Sequence, residues 1–185
     1  HFKDAVEPGT DLVESGDGRK DVFGHGTAIA GQIAAREVSG SGVVGFAPRA
    51  TIVPVRVYVD NSDDSKRAGK GPTAARTADG IRWAADQGIR VIVVPQSLTS
   101  DDVALRTATQ YAHSKGALVV ASAGNVEQNA NSGSQDTAVR FPAGYPEALS
   151  VTAVDAQGNP SQSVVHGTHV EIAAPGAQIA TTFFA

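Results

Sequence analysis

The sequence contains no cysteine and no methionine. Without cysteine there is no disulfide framework and no thiolate metal site. That says little about compartment, because many secreted bacterial enzymes also lack it. Without methionine the chain has no initiator, so the expectation is an internal piece of a longer protein, opening on "HFKDAV" and stopping at "TTFFA". Positive charge is not gathered anywhere: the net charge is −4, and no basic cluster is dense enough for a nucleic-acid surface. No apolar run is long enough to cross a bilayer, and nothing reads as a signal peptide. There is no internal repeat and no sign of a second domain. What is there is an ordinary globular balance over 185 residues, with 41% hydrophobic and 18% charged, which suits one domain with a substantial core.

Strand-like and helix-like segments alternate. Residues 51–59, "TIVPVRVYV", are β-branched, although Pro54 argues for a bulge or an edge. Residues 73–88 carry Ala74, Ala78, Ile81 and Ala85 at spacings of three and four, a helical stripe, with Gly88 as its stop. "IRVIVVPQSL" follows as a buried-type strand. "DDVALRTATQYAHSKG" opens on a capping Asp and closes on Lys-Gly, again a helix. Then come "ALVVASAG", "ALSVTAVD" and "HVEIAAPG", each strand-like. Such alternation predicts an α/β fold: a doubly wound, mostly parallel sheet with helices on both faces. Functional residues in such sheets gather beyond the carboxyl ends of strands, here "PQSL" and "SAGN". Residues 60–71 and 126–136 read as polar, Gly-rich loops.

The tripeptide HGT occurs twice, at His25 and at His166. His25 lies between Gly24 and Gly26, where the backbone can turn tightly, and a small-residue helix follows. A His there either bonds a turn carbonyl or serves as a general base at a sheet's carboxyl edge. A dinucleotide-binding loop does not fit, because "GHGTAIAG" lacks the third glycine at its spacing and no strand precedes it.

Several separated motifs coincide at this point. "GHGTAIAG" resembles the histidine motif of the subtilisin-like serine proteases, the subtilases. "VVGFAPRATIVPVRV", "VIVVPQSL", "VVASAGN", "FPAGYPEALSVTAVD" and "VEIAAPGAQIATT" are similar to later segments of that family, in the family's order and across essentially the whole chain. In flavour and length the chain is most similar to actinobacterial members. The resemblance implies roles residue by residue. His25 would be the base of a Ser-His-Asp triad. Asn125 would offer its amide to the oxyanion. Ser97, Leu98 and Thr99 would form one edge along the substrate backbone, and Gly69, Lys70 and Gly71 the other. Ala123 and Gly124 would line the floor of the first pocket. His166 and His169 would be loop or surface residues, with Val170 and Ile172 alternating along a strand.

Two members of the triad have no counterpart. The family's Asp lies in D-[ST]-G, and none of Asp4, Asp11, Asp17 or Asp21 has that context. No G-T-S occurs anywhere. The expectation is therefore a single partial catalytic domain over 1–185, incomplete at both ends and inactive alone, from a secreted or cell-surface serine endopeptidase. The alternative is a non-catalytic pseudoprotease or peptide-binding module on the same fold. Its partner would be a polypeptide substrate, its own pro-peptide or an inhibitor. Thr99 and Ser100 stand where family members often have Gly, which suggests small or medium side chains in the first pocket. No cofactor is expected for catalysis. A structural calcium at "DNSDD" is a further expectation, since its oxygens are of the right type; a transition-metal site is not.

Overall fold

The computed structural model describes residues 1–2, 4–126, 137–161 and 164–183. They form two compact units, His1–Gly80 with Ala180–Ala185, and Ile81–Ile179. The expected loop 126–136 lies, from Glu127 on, outside the described residues.

In the first unit, β1 (Thr10–Asp11) pairs in parallel with β2 (Val55–Arg56). The β-branched run 51–59 is paired for only these two residues, beside an isolated Val6–Ile52 bridge. Pro54 explains part of the shortfall. It has no N–H to give a ladder, and only its carbonyl takes part, accepting from Thr10 N–H at 3.0 Å. Arg56 spans β1 and the turn after it, donating to Asp11 at 2.8 Å and Glu14 at 3.0 Å. Lys70 reaches the same Glu14 at 2.7 Å. Together with Lys20, these cations hold the Glu14 carboxyl at about 2, far below its ordinary range.

α1 (His25–Ala34) is built of small residues for a reason. Thr182 donates to the Thr27 carbonyl at 2.9 Å, and Thr181 to that of Ala28. A Cβ at Gly31 would fall 2.1 Å from the Thr182 hydroxyl, so only glycine admits this segment along the helix. The expected loop 60–71 contains a short helix, α2 (Asp63–Arg67). Ser62 caps it through Ser65 N–H at 3.1 Å, with Asp63 and Asp64 in its first turn and Lys66 and Arg67 in its last.

α3 (Ala74–Asp86) buries Ala78, Ile81 and Ala85, as its spacing requires. Gly88 ends it at φ 74°. The second unit carries a four-stranded parallel sheet in the order β3 (Val91–Val94), β4 (Leu118–Ser122), β5 (Ala148–Val154), β6 (Ile172–Pro175). α4 (Val103–Ser114) buries Leu105, Ala108, Thr109 and Ala112, one helical face, and packs against β4. Asp102 caps it through Leu105 N–H at 3.0 Å, and Gly116 follows its end at φ 77°. Ile92, Val94, Val119 and Ala121 are buried, while Val91, Val93, Leu118 and Ile172 on the other side of the sheet are open to solvent. Parallel pairing puts the carboxyl ends of β3 and β4 at neighbouring positions. The segments beyond them are 95–98 and 123–125.

Candidate active site

His25 is the first residue of α1 and is half-buried. The N-cap before it is Gly24 at φ 86°, a left-handed turn that an L side chain rarely adopts, and it supplies no side-chain cap. The carboxylate that does the capping comes from three residues upstream. Asp21 accepts from the N–H groups of Phe23 at 2.9 Å and Gly24 at 2.7 Å through one oxygen. Its other oxygen accepts from Thr27 N–H at 2.9 Å and from the Thr27 hydroxyl at 2.6 Å. The four bonds straddle His25, two before it and two after. Burial alone would push the Asp21 carboxyl up, but the donors from Thr27, Gly24 and Phe23 outweigh it and hold it below the ordinary range. Phe23 lies between His25 (ring centroids 6.3 Å apart) and Tyr58 (6.0 Å), so an aromatic wall flanks the imidazole. Burial, and then the Asp21 charge, push the Tyr58 hydroxyl up.

The second unit gathers Ser97, Leu98, Ala123, Gly124 and Asn125 at the ends of β3 and β4. Leu98 and Phe141 exchange two backbone hydrogen bonds, both 2.8 Å, in an antiparallel bridge. In extended chain the flanking residues turn their N–H and C=O groups to the opposite side. Ala123 is fully buried, and its N–H continues the β4–β5 ladder to Val151 at 2.9 Å. Gly124 sits at φ 110°, and a Cβ there would lie 2.4 Å from Arg140 Cγ and 3.4 Å from the Ser97 hydroxyl. Its carbonyl accepts from Val165 N–H at 3.0 Å. Asn125 follows, exposed, in an antiparallel bridge to Val164.

Gly69, Lys70 and Gly71 take a different form from the expected extended edge. They are the closing turn of α2. Gly69 N–H donates to Lys66, and the N–H groups of Lys70 and Gly71 both donate to Ser65. The Lys70 carbonyl accepts from Val59, and those of Gly69 and Gly71 accept from Arg76. Each backbone donor and acceptor of the trio has a partner within the chain. In "DNSDD", Asp60 accepts from Ser62 N–H, Asp63 faces Lys66 at 3.5 Å, and Asp64 pairs with Arg67. Among the described residues no group of three or more His, Asp or Glu is arranged to hold a metal ion. His166 and His169 are half-buried loop residues, with the His169 ring lying against Gly167; β6 begins at Ile172, past Val170.

The sequence model of the subtilase family, a family of peptidases, matches residues 1–184. The chain belongs to the subtilase family. Thermitase of Thermoactinomyces vulgaris is 38% identical to it over 178 residues, covering 96% of this chain and 58% of that protein. Subtilisin DY of Bacillus licheniformis is 34% identical, covering 96% and 60%. Among solved structures, MycP1 with its N-terminal propeptide removed superposes with a TM-score of 0.79 at 29% identity, over 96% of this chain and 60% of that one. The MycP3 protease of the type VII (ESX-3) secretion system does so with a TM-score of 0.76 at 34% identity, over 94% and 54%. The subtilase chain thus spans about 60% of the length of thermitase and subtilisin DY.

Two residues beside the candidate positions carry no motif in the sequence. Asp21 stands outside the D-[ST]-G pattern. Its signal was a carboxylate shortly ahead of a helix whose own cap position is glycine, a place where a side-chain acceptor is wanted. Arg140 sits inside "VRFPAGYP", and nothing local distinguishes it. Only the Leu98–Phe141 bridge brings it beside Ser97 and Gly124.

Proposed function

We propose that the protein from which this chain comes is a secreted or cell-surface serine endopeptidase acting through a Ser-His-Asp triad, with His25 as its base. The observation that carries the reading is His25 at the head of α1, straddled by the Asp21 bonds, in a chain of the subtilase family. A ring nitrogen of His25 takes the proton of the nucleophilic hydroxyl as that oxygen attacks the peptide carbonyl. The same proton then passes to the leaving amine. Asn125, exposed beyond β4, donates its side-chain N–H to the oxyanion of the tetrahedral intermediate. Ser97 and Thr99, whose backbone groups face away from the Leu98–Phe141 bridge, pair with the extended substrate, and Ala123 and Gly124 floor the first pocket.

The 185 residues hold neither D-[ST]-G nor G-T-S. Without the nucleophile no acyl-enzyme forms, so the chain alone is inactive. Reaction with a fluorophosphonate probe tests both statements. The 185-residue chain is expected to stay unlabelled. The full-length parent polypeptide is expected to be labelled, and to lose labelling in its His25→Ala variant. Labelling of the short chain overturns its inactivity. A folded parent that resists the probe overturns the endopeptidase reading in favour of a pseudoprotease.

A further inference from the structure

Tyr145 is 4% exposed, and its hydroxyl meets the chain just past residues 97–99. The hydroxyl oxygen accepts from Asp102 N–H at 3.2 Å. Its one proton has two acceptors at 3.0 Å, the Asp101 carboxylate and the Asp102 carbonyl, and the charged oxygen is the stronger of them. Arg106 of α4 pairs with the same Asp101 carboxylate and lies over the Tyr145 ring, 5.8 Å from its centroid. The Phe141 ring stands 4.9 Å from that of Tyr145. Phe141 in turn holds Leu98 by two backbone hydrogen bonds. One short segment, 141–145, therefore ties this stretch at two points: Leu98 to Phe141, and Asp101 and Asp102 to Tyr145. Thr99 and Ser100, between the ties, are exposed, and no described residue hydrogen-bonds to either.

We propose that Tyr145 is a positioning residue for the substrate: by fixing Asp101 and Asp102 it orders Thr99 in advance, so that an extended peptide meets an edge already in place. The proposal rests on the reading in which Ser97 and Thr99 pair with the peptide backbone. Binding orders whatever is loose at the contact, and each residue ordered beforehand is one less for the peptide to fix. Two exposed residues without hydrogen bonds of their own take their order from their ends. The tie at Leu98 is made by backbone groups and does not depend on its side chain. The tie at Asp101 and Asp102 depends on one phenol hydroxyl. Phenylalanine at position 145 keeps a ring against Phe141 and Arg106 and removes that hydroxyl alone.

The test compares two peptides on the full-length parent polypeptide carrying His25→Ala, which prevents turnover. One is fluorescein-labelled tetraalanine with a free carboxyl end. The other is the same peptide N-methylated at the third residue from that end, two along from the partner of Ser97 and so opposite Thr99. Fluorescence anisotropy reads both affinities, and circular dichroism verifies that each variant is folded. The plain peptide is expected to bind about tenfold more tightly than the N-methylated one, the scale of one hydrogen bond. Tyr145→Phe is expected to weaken the plain peptide about fivefold and to leave the N-methylated one unchanged, which narrows the gap to about twofold. Asp101→Ala is expected to narrow it as well, and since Asp101 is exposed this variant decides the matter if Tyr145→Phe does not fold. Asp101→Asn, which keeps an acceptor oxygen, is expected to retain most of the gap. A gap unchanged in the folded variants, equal weakening of both peptides, or no gap with Tyr145 and Asp101 intact overturns the proposal. The endopeptidase reading fails separately, on the probe reaction of the parent, because a pseudoprotease on this fold would still bind the plain peptide along this edge.

Discussion

Two helix starts in this molecule solve the same problem differently. α4 is capped by the residue at its own N-cap, Asp102, which accepts from Leu105 N–H. α1 has glycine at that position and receives its carboxylate from Asp21, three residues earlier. The first arrangement satisfies a backbone donor and gives the helix a negative charge at its positive end. The second does this and more. Removing the cap side chain from position 24 lets the chain turn at φ 86°, and the residue that emerges from the turn is His25. Asp21 then ties the residues before His25 to the residue two places after it. A start that only needs to be stable is built locally. The start that carries His25 is built from a distance.

The comparison can be broken at its strongest point first. Asp21→Ala removes an acceptor of four hydrogen bonds and is expected to cost about 3 kcal/mol, against about 1 kcal/mol for Asp102→Ala at α4. Urea unfolding of the two variants measures the difference. Equal losses would make the α1 cap an ordinary one. Next in size is Gly24→Ala, which forces a Cβ into the left-handed region and is expected to cost about 1–2 kcal/mol. The same substitution at Gly26, which does not have a positive φ, is the control, and a loss as large there removes the conformational argument. The smallest effect is on acid stability. Asp21 in the folded chain titrates below its unfolded value, so its contribution is present above the unfolded value near 3.8 and is lost as pH falls through the folded one. Asp21→Asn is therefore expected to flatten the fall in melting temperature below about pH 4. An unchanged slope in that variant would assign the acid response to other carboxylates, Glu14 first among them.

The elements whose ends carry local signals are legible in the sequence. α4 was framed by Asp102 and Gly116, α3 by its apolar stripe and Gly88, and both formed as read. The parallel sheet followed from the alternation of elements, and the family from motifs in order along the chain. The segment 51–59 was over-read as strand because β-branched composition reports a preference and Pro54 removes a donor from the ladder. The loop 60–71 was under-read. Ser62, two acids and two bases mark α2, but five residues give too short a period to recognise. Once α2 forms, its end takes up the N–H groups of residues 69–71.

By itself, the sequence determined the helices with caps, the parallel order of the sheet and the family. Those depend on neighbours within a few positions, or on motifs in a fixed order. The tertiary structure alone decided that Arg140 lies over Gly124, because that proximity comes from a bridge between Leu98 and Phe141, 43 positions apart in the chain. It also decided that the carboxylate at the head of α1 is Asp21. Among several nearby acids, only the folded turn at Gly24 shows which one reaches forward across His25.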